Sequence, residues 1–194
     1  MIKRGKIIVI SGPTGSGESA ITKKILERFP DTARMITATT RPPRPHEKDE
    51  IDYHFVDVKK FKKMIAHNEL LEYIQVPNRD VFYGTIKQDV ESKLNDGIHL
   101  IGNLGWPGNE SFSKLYPGRV LSIFIKPDNL EVIRERLIKR DPTITPEEVE
   151  KRMLNAEREI SEAKYYDHIV INPDGHMEKA VEKITDLIKN FIEK

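Results

Sequence analysis

Residues 6–11, Lys-Ile-Ile-Val-Ile-Ser, run directly into Gly12-Pro13-Thr14-Gly15-Ser16-Gly17-Glu18-Ser19, and this junction constrains the fold more than any other feature of the chain. A short continuous run of β-branched apolar residues reads as a strand buried on both faces, and the glycine and proline that follow end it. From Ser19 onward Ile21, Ile25, Leu26 and Phe29 recur at helical spacing until Pro30 and Asp31 stop the pattern. Strand, glycine-rich turn and helix in this order are the setting in which the glycine spacing of a Walker A loop has a mechanical meaning. The glycines let the backbone curl until successive N–H groups and the positive helix end face one phosphate group. Gly12, Pro13, Thr14, Gly15, Ser16, Gly17 and Ser19 are therefore the candidate donor-phosphate residues, and the Ser19 hydroxyl is the candidate ligand for Mg²⁺.

Further apolar runs at 98–101, 120–125 and 168–171 are each separated by enough chain for a crossover helix, which predicts a mostly parallel sheet in an α/β fold. Helix starts are marked by Asp128 with Glu131 and by Thr145 with Glu148, both at capping-box spacing, and Pro146 sits where a first helical residue belongs. Between these helices the polar break at 139–144 is a candidate mobile lid. Over 177–192, Ala180, Val181, Ile184, Leu187, Ile188 and Phe191 share one face, so this segment is predicted to pack as the last helix.

Composition narrows the function classes. A chain of 194 residues suits one α/β domain with small excursions, and 32 Lys and Arg against 31 Asp and Glu give a net charge of +1. That balance predicts neither a nucleic-acid-coating nor a membrane-surface protein, so an anion site must be local. Without cysteine there is no disulfide framework or thiolate metal site, and neither zinc nor haem is expected. The apolar runs are too short to span a bilayer, and residues 1–5 lead into a strand without the apolar stretch of a signal peptide, so a cytoplasmic protein is expected.

The segment 37–83 differs in texture. Pro42, Pro43 and Pro45 exclude a helix near Thr37-Ala38-Thr39-Thr40-Arg41-Pro42-Pro43-Arg44-Pro45-His46-Glu47, and short elements are predicted at 53–56, 59–67 and 70–76. Arg41 and Arg44 on a proline-stiffened stretch form a preorganised fork for a phosphate or carboxylate, which tyrosine hydroxyls can complete. With Asp52-Tyr53-His54-Phe55, Leu71-Glu72-Tyr73 and Phe82-Tyr83-Gly84-Thr85, the segment closely resembles the GMP-binding insertion of guanylate kinases. That insertion runs as T-T-R-x-P-R-x-x-E, then D-Y-x-F, then E-F-L-E, then Y-Y-G-[ST], and the resemblance extends across nearly the whole chain.

The resemblance implies a P-loop three-layer fold with a mostly parallel sheet, a small mixed α+β GMP-binding insertion and a helical lid. It places the core at 1–35 and 87–194, the insertion at about 36–86 and the lid at about 137–152. It implies that Arg41, Arg44, Tyr53 and Tyr83 grip the GMP phosphate, that Glu72 reads the guanine edge, and that Thr37, Thr85 and Glu47 support them. A carboxylate suits the N1 and N2 donors of guanine, a pair adenine does not present. Arg136, Arg140 and Arg152 fall where the family places arginines that close on the transferring phosphoryl group, and Asn172 falls near the adenine of the donor. ATP carried with Mg²⁺ and GMP are the implied ligands, the implied reaction is ATP + GMP to ADP + GDP, and the expected state is a monomer or homodimer.

Three positions depart from the family pattern. Glu18 stands where Walker A requires lysine; at an effective dielectric near 20 and ~4 Å each unit pair is worth ~4 kcal/mol, so a reversed sign weakens phosphate binding severely. Asn103-Leu104-Gly105 replaces the first acidic residues of a D-x-[DE]-x-Q-G segment, so Asn103, implied at the GMP site, lacks the charge that attracts guanine donors. The loop Pro77-Asn78-Arg79-Asp80 is longer than the family pattern. The expected protein is thus a guanylate-kinase-like chain with an intact GMP site and impaired transfer. The alternative is a non-catalytic module that holds GMP, or a phosphorylated peptide, at the same arginines.

Overall fold

In the computed structural model, residues 4–45, 47–76 and 80–193 are described. The described chain forms a five-stranded parallel sheet and a smaller four-stranded mixed sheet, with strand orders β2-β7-β1-β8-β9 and β4-β3-β6-β5. The strands are β1 Ile7–Ser11, β2 Thr32–Arg34, β3 Thr37–Thr39, β4 His54–Phe55, β5 Leu70–Gln75, β6 Phe82–Ile86, β7 His99–Asn103, β8 Val120–Pro127 and β9 His168–Asn172. The helices are α1 Glu18–Arg28, α2 Val58–Ala66, α3 Lys87–Asn95, α4 Trp106–Leu115, α5 Leu130–Arg140, α6 Pro146–Glu162 and α7 Met177–Ile192.

The chain divides into two compact units. One draws on Met1–Ile7, Asp31–Gly102 and Pro107–Val120 and contains the mixed sheet. There β3 pairs antiparallel with β6 and parallel with the short β4, while β5 pairs antiparallel with β6. Asp57 caps α2 by accepting from the Lys60 amide at 2.7 Å, and the apolar face of α2 puts Phe61 and Met64 into a small core with Ala38 and Phe82. The Phe61 and Phe82 rings stack with centroids 5.4 Å apart. This core holds the sheet that carries the arginine and tyrosine segments.

The second unit draws on Ile8–Pro30, Asn103–Trp106 and Leu121–Lys194. All of β1 is buried, as its continuous apolar run requires, and β9 pairs parallel with β8 from Ile123↔His168 to Pro127↔Asn172. Helix α7 spans the predicted residues; Ala180, Val181, Ile184 and Ile188 are buried, with Leu187 and Phe191 partly so. Helices α5 and α6 pack as a hairpin on Ile133, Leu137, Val149, Met153 and Ala156.

One predicted cap is corrected. Thr145 does cap α6, accepting from the Glu148 amide at 3.3 Å with Pro146 following, but α5 is capped by Asn129, whose Oδ1 accepts from the Val132 amide at 3.1 Å. Asp128, the predicted cap, instead accepts from the Asp174 amide at 3.1 Å. The loop at 77–79, His46, and residues 1–3 of the leading segment lie outside the described residues.

Candidate functional site

The turn between β1 and α1 is shaped by groups on both sides of it. Gly17, which precedes α1 without a side-chain cap, has φ +91°, and a Cβ there would meet Asn172 Nδ2 at 2.6 Å. A Cβ on Gly12 would meet the Ile125 carbonyl and Ser16 Oγ, each at 2.6 Å, so only glycine fits either position. Asn172 Nδ2 donates to the Ser16 carbonyl at 2.7 Å and Arg136 Nη1 donates to the Gly15 carbonyl at 2.9 Å. Held this way, the carbonyls of the turn face protein groups, and across each trans peptide the next N–H points the opposite way. Ser19 is exposed on the first turn of α1. A cavity of about 560 Å³ lies against the turn, lined among others by Gly15, Gly17, Glu18, Arg136, Arg140 and Asn172. Arg136 is also paired with Asp174 at 2.8 Å, whereas Arg152 is engaged with Glu148 at 2.9 Å on its own helix.

Glu18 is partly buried, and burial pushes its carboxyl up to about 8, opposed by a hydrogen bond from the Asn103 side chain and reinforced by the charge of Glu159. The full reversed charge anticipated from sequence is therefore not expressed at neutral pH. Asn103, grouped with the GMP residues in the sequence reading, donates from Nδ2 to the Ile10 carbonyl at 3.3 Å and to Thr22 Oγ1 at 2.9 Å, so it braces the end of β1 and α1. Sequence reasoning missed Glu159. Burial pushes its carboxyl up to about 7 although the Thr14 backbone N–H bonds to it, and its Oε2 is buried with no hydrogen-bond partner among the described residues. Its signal in the sequence is an ordinary acidic position on an amphipathic helix.

The second cluster lies on the mixed sheet. Arg41 is held from three directions: Glu47 takes Nη1 at 2.5 Å and Nη2 at 2.7 Å, Tyr83 Oη accepts from Nε at 3.1 Å, and the Tyr53 ring lies 4.8 Å beneath the guanidinium. The pairing holds the Glu47 carboxyl down at about 2 and the guanidinium above its ordinary range. Glu47 also accepts from the Arg44 backbone N–H at 2.8 Å, while the Arg44 side chain is 72% exposed and only 4.0 Å from Glu47 Oε1. Deeper in the sheet, the buried Thr85 donates from Oγ1 to Glu72 Oε1 at 2.6 Å, and burial raises the Glu72 carboxyl above its usual range. Thr37 faces Thr85 across the β3–β6 ladder. The structure thus brings Thr37, Arg41, Arg44, Glu47, Tyr53, Glu72, Tyr83 and Thr85 onto one small sheet and its flanking segment. Tight internal pairing holds the first arginine, and the second reaches only the 4.0 Å contact with Glu47 among the described residues.

Comparison with known proteins places the chain in a family. The family profile described as Guanylate kinase matches residues 4–191. A guanylate kinase of Bacteroides fragilis is 40% identical over 187 residues, 96% of this chain and 90% of that one. One from Maricaulis maris is 35% identical over 186 residues, 96% of this chain and 83% of its own. Among solved structures, the crystal structure of guanylate kinase from Anaplasma phagocytophilum superposes with a TM-score of 0.79 at 27% identity, covering 99% of this chain and 88% of that chain. With a parallel sheet, a glycine turn opening onto α1 and a match over nearly its full length, this chain belongs to the guanylate kinase family of P-loop nucleotide kinases.

Proposed function

We propose that this chain binds GMP on the mixed sheet and ATP with Mg²⁺ at the turn 12–19, and transfers the γ-phosphoryl group to GMP slowly. The observation that carries the reading is the Arg41–Glu47–Tyr83 arrangement beside the Glu72–Thr85 hydrogen bond, a phosphate grip and a purine reader on one sheet. Arg44, with its exposed side chain, and the hydroxyls of Tyr53 and Tyr83 meet the phosphate, Arg41 supplies fixed positive charge, and Glu72 accepts from the guanine donors. Residues 36–86 then act as the acceptor insertion and 137–152 as the lid, on a core of 1–35 and 87–194.

The glycine-shaped turn and the uncapped α1 N-terminus suit a phosphate chain, and the exposed Ser19 hydroxyl suits a hard cation. When bound, Mg²⁺ neutralises phosphate charge and leaves positioning to the protein. Arg136 and Arg140 line the donor cavity and Asn172 borders it, which supports their assignment to the donor; Arg152 must leave Glu148 to reach a phosphoryl group. Glu18 stands at the lysine position, and the loss of an ammonium that follows charge onto the leaving phosphate slows transfer.

A second reading, GMP binding without turnover, is favoured by that same Glu18. Two measurements separate the readings. Titration calorimetry should find GMP binding well below millimolar and AMP much weaker; equal binding of both sinks the acceptor assignment. A coupled GDP-formation assay should find Glu18→Lys at least tenfold faster than this chain. Equal rates, in preparations free of host kinase, would return Glu18 to an ordinary working position.

A further inference from the structure

Strand β9 ends the order β2-β7-β1-β8-β9, and among the described residues its outer edge has no partner strand. Its register with β8 sets Ile169 beside Phe124 and Ile171 beside Lys126, so these four side chains leave one face of the sheet. Phe124 is covered by Ala163 and Tyr166, whereas Ile169 and Ile171, one strand further out, are 44% and 55% exposed. A groove of about 530 Å³ lies against this edge, with the two isoleucines among its lining residues. Four lysines line it as well: Lys126 from β8, Lys164 from the single turn Ala163–Tyr165 that follows α6, and Lys179 and Lys183 one helical turn apart on α7. No lining residue is acidic, and among the described residues none of the four lysines has a carboxylate within 4.0 Å. In a chain whose net charge is only +1, this is a local concentration of unneutralised positive charge around exposed apolar surface.

We propose that the β9 edge is a docking site for an extended acidic segment of a partner protein, in which apolar residues alternate with Asp or Glu. The charge pattern selects this occupant. Lysines beside an open edge oppose pairing with an identical edge, because a two-fold copy brings its own four ammonium groups to the same groove. They attract a strand that carries carboxylates. Added along β9, such a strand gains main-chain hydrogen bonds from the open edge, and every second side chain falls on the face of Ile169 and Ile171. Apolar residues there cover the two isoleucines, and carboxylates at the intervening positions reach the lysines around the groove. The site lies wholly on β8, β9, α6 and its following turn, and α7, and it requires no nucleotide.

The test titrates the isotope-labelled full chain with a capped peptide of alternating glutamate and valine, as long as β9, and follows backbone amide shifts by NMR. A peptide of alternating lysine and valine serves as the control. The acidic peptide should give saturable shifts at 168–172 and around Lys179 and Lys183, weakening as salt rises from ~0.05 to ~0.5 M, and the basic peptide should give none. Lys179→Glu combined with Lys183→Glu should weaken binding at least tenfold, and Ile171→Ser should weaken it several-fold. All three positions are exposed, where substitutions change stability little, and an unchanged Tm checks that each variant is folded. No saturable shift at 168–172, equal binding of the basic peptide, or unaltered affinity in the charge-reversed variant overturns the proposal; the last two would leave the lysines as guards of a sheet edge. Shifts confined to 41–44 would place the acidic peptide on the arginines of the mixed sheet and also overturn it. Sedimentation of the chain alone supplies the last arm: self-association that the charge-reversed variant abolishes would give the edge to a second copy and overturn the acidic partner.

Discussion

Arg41 and Glu47 form a two-pronged pair, Nη1 to Oε2 at 2.5 Å and Nη2 to Oε1 at 2.7 Å, with the Arg41 and Glu47 side chains only 13% and 17% exposed. Glu47 lies six residues after Arg41, across the proline-stiffened turn, and also accepts the Arg44 amide, so one carboxylate orients both arginines of the segment. Removing it leaves a partly buried guanidinium free to swing. Glu47→Ala should weaken GMP binding roughly tenfold or more, since hydrogen bonds to charged groups are worth ~1.5–3 kcal/mol. Calorimetry measures this, and unchanged affinity would mean that Arg41 needs no orienting partner.

The same pair has an acid signature. The folded carboxyl of Glu47 sits at about 2, below its ordinary 4.5. Its contribution is therefore fully present above pH 4.5 and is lost as pH falls through about 2, an upper limit of about 3 kcal/mol. Thermal unfolding between pH 5 and 2 should fall less steeply in Glu47→Gln than in the unaltered chain. Parallel curves would show that the pair does not hold in solution.

Glu159 has the opposite sign. Its carboxyl is raised from 4.5 to about 7, so the folded chain keeps a proton there that the unfolded chain releases. Stability should be greatest below pH 4.5 and decline as pH rises through about 7, by at most about 3 kcal/mol from this group. Glu159→Gln should flatten the Tm profile between pH 5 and 8. A variant with the unaltered slope would remove Glu159 as its source.

In the proposed role of purine reader Glu72 must be a carboxylate, and the hydroxyl of Thr85 at 2.6 Å favours that form against burial. GMP affinity should therefore fall as pH falls, and in Thr85→Val the loss should begin at higher pH. Glu72→Gln should cost roughly tenfold or more in GMP affinity and narrow the margin over AMP, because an amide presents only one acceptor. Affinity of Thr85→Val that follows the same pH course as the unaltered chain would count against Glu72 as the purine reader.

Closure over ligand should appear as backbone protection. Hydrogen exchange with and without GMP should slow at 41–53, where Glu47 and the Asp49–Tyr53 bridge already order part of the segment. No change there would leave the segment a static platform.

Much of the fold is legible in local sequence because its signals are local. The buried run of β1, the glycine turn, the apolar stripe of α7 and the Thr145 cap each depend on residues within a turn or two of one another, and each stands where the pattern predicts. The short strands β2 and β3 have no such signal, since three residues acquire strand geometry only when β7 or β6 pairs with them. Asn129 displaced Asp128 as the α5 cap for a related reason: Asp128 is drawn to the Asp174 amide, a partner 46 positions away. The arginines, tyrosines and Glu72 were legible as a spaced motif, but the tight hold of Glu47 on Arg41 and the exposure of Arg44 were not. By itself the sequence determined the strand–turn–helix unit, its glycine turn and the membership of the chain in its family. Only the tertiary structure decided that Asn103 would reach the Ile10 carbonyl and Thr22 and that Glu159 would be partly buried beside Thr14, because burial and contact between distant segments arise from packing and leave no periodic trace in the chain.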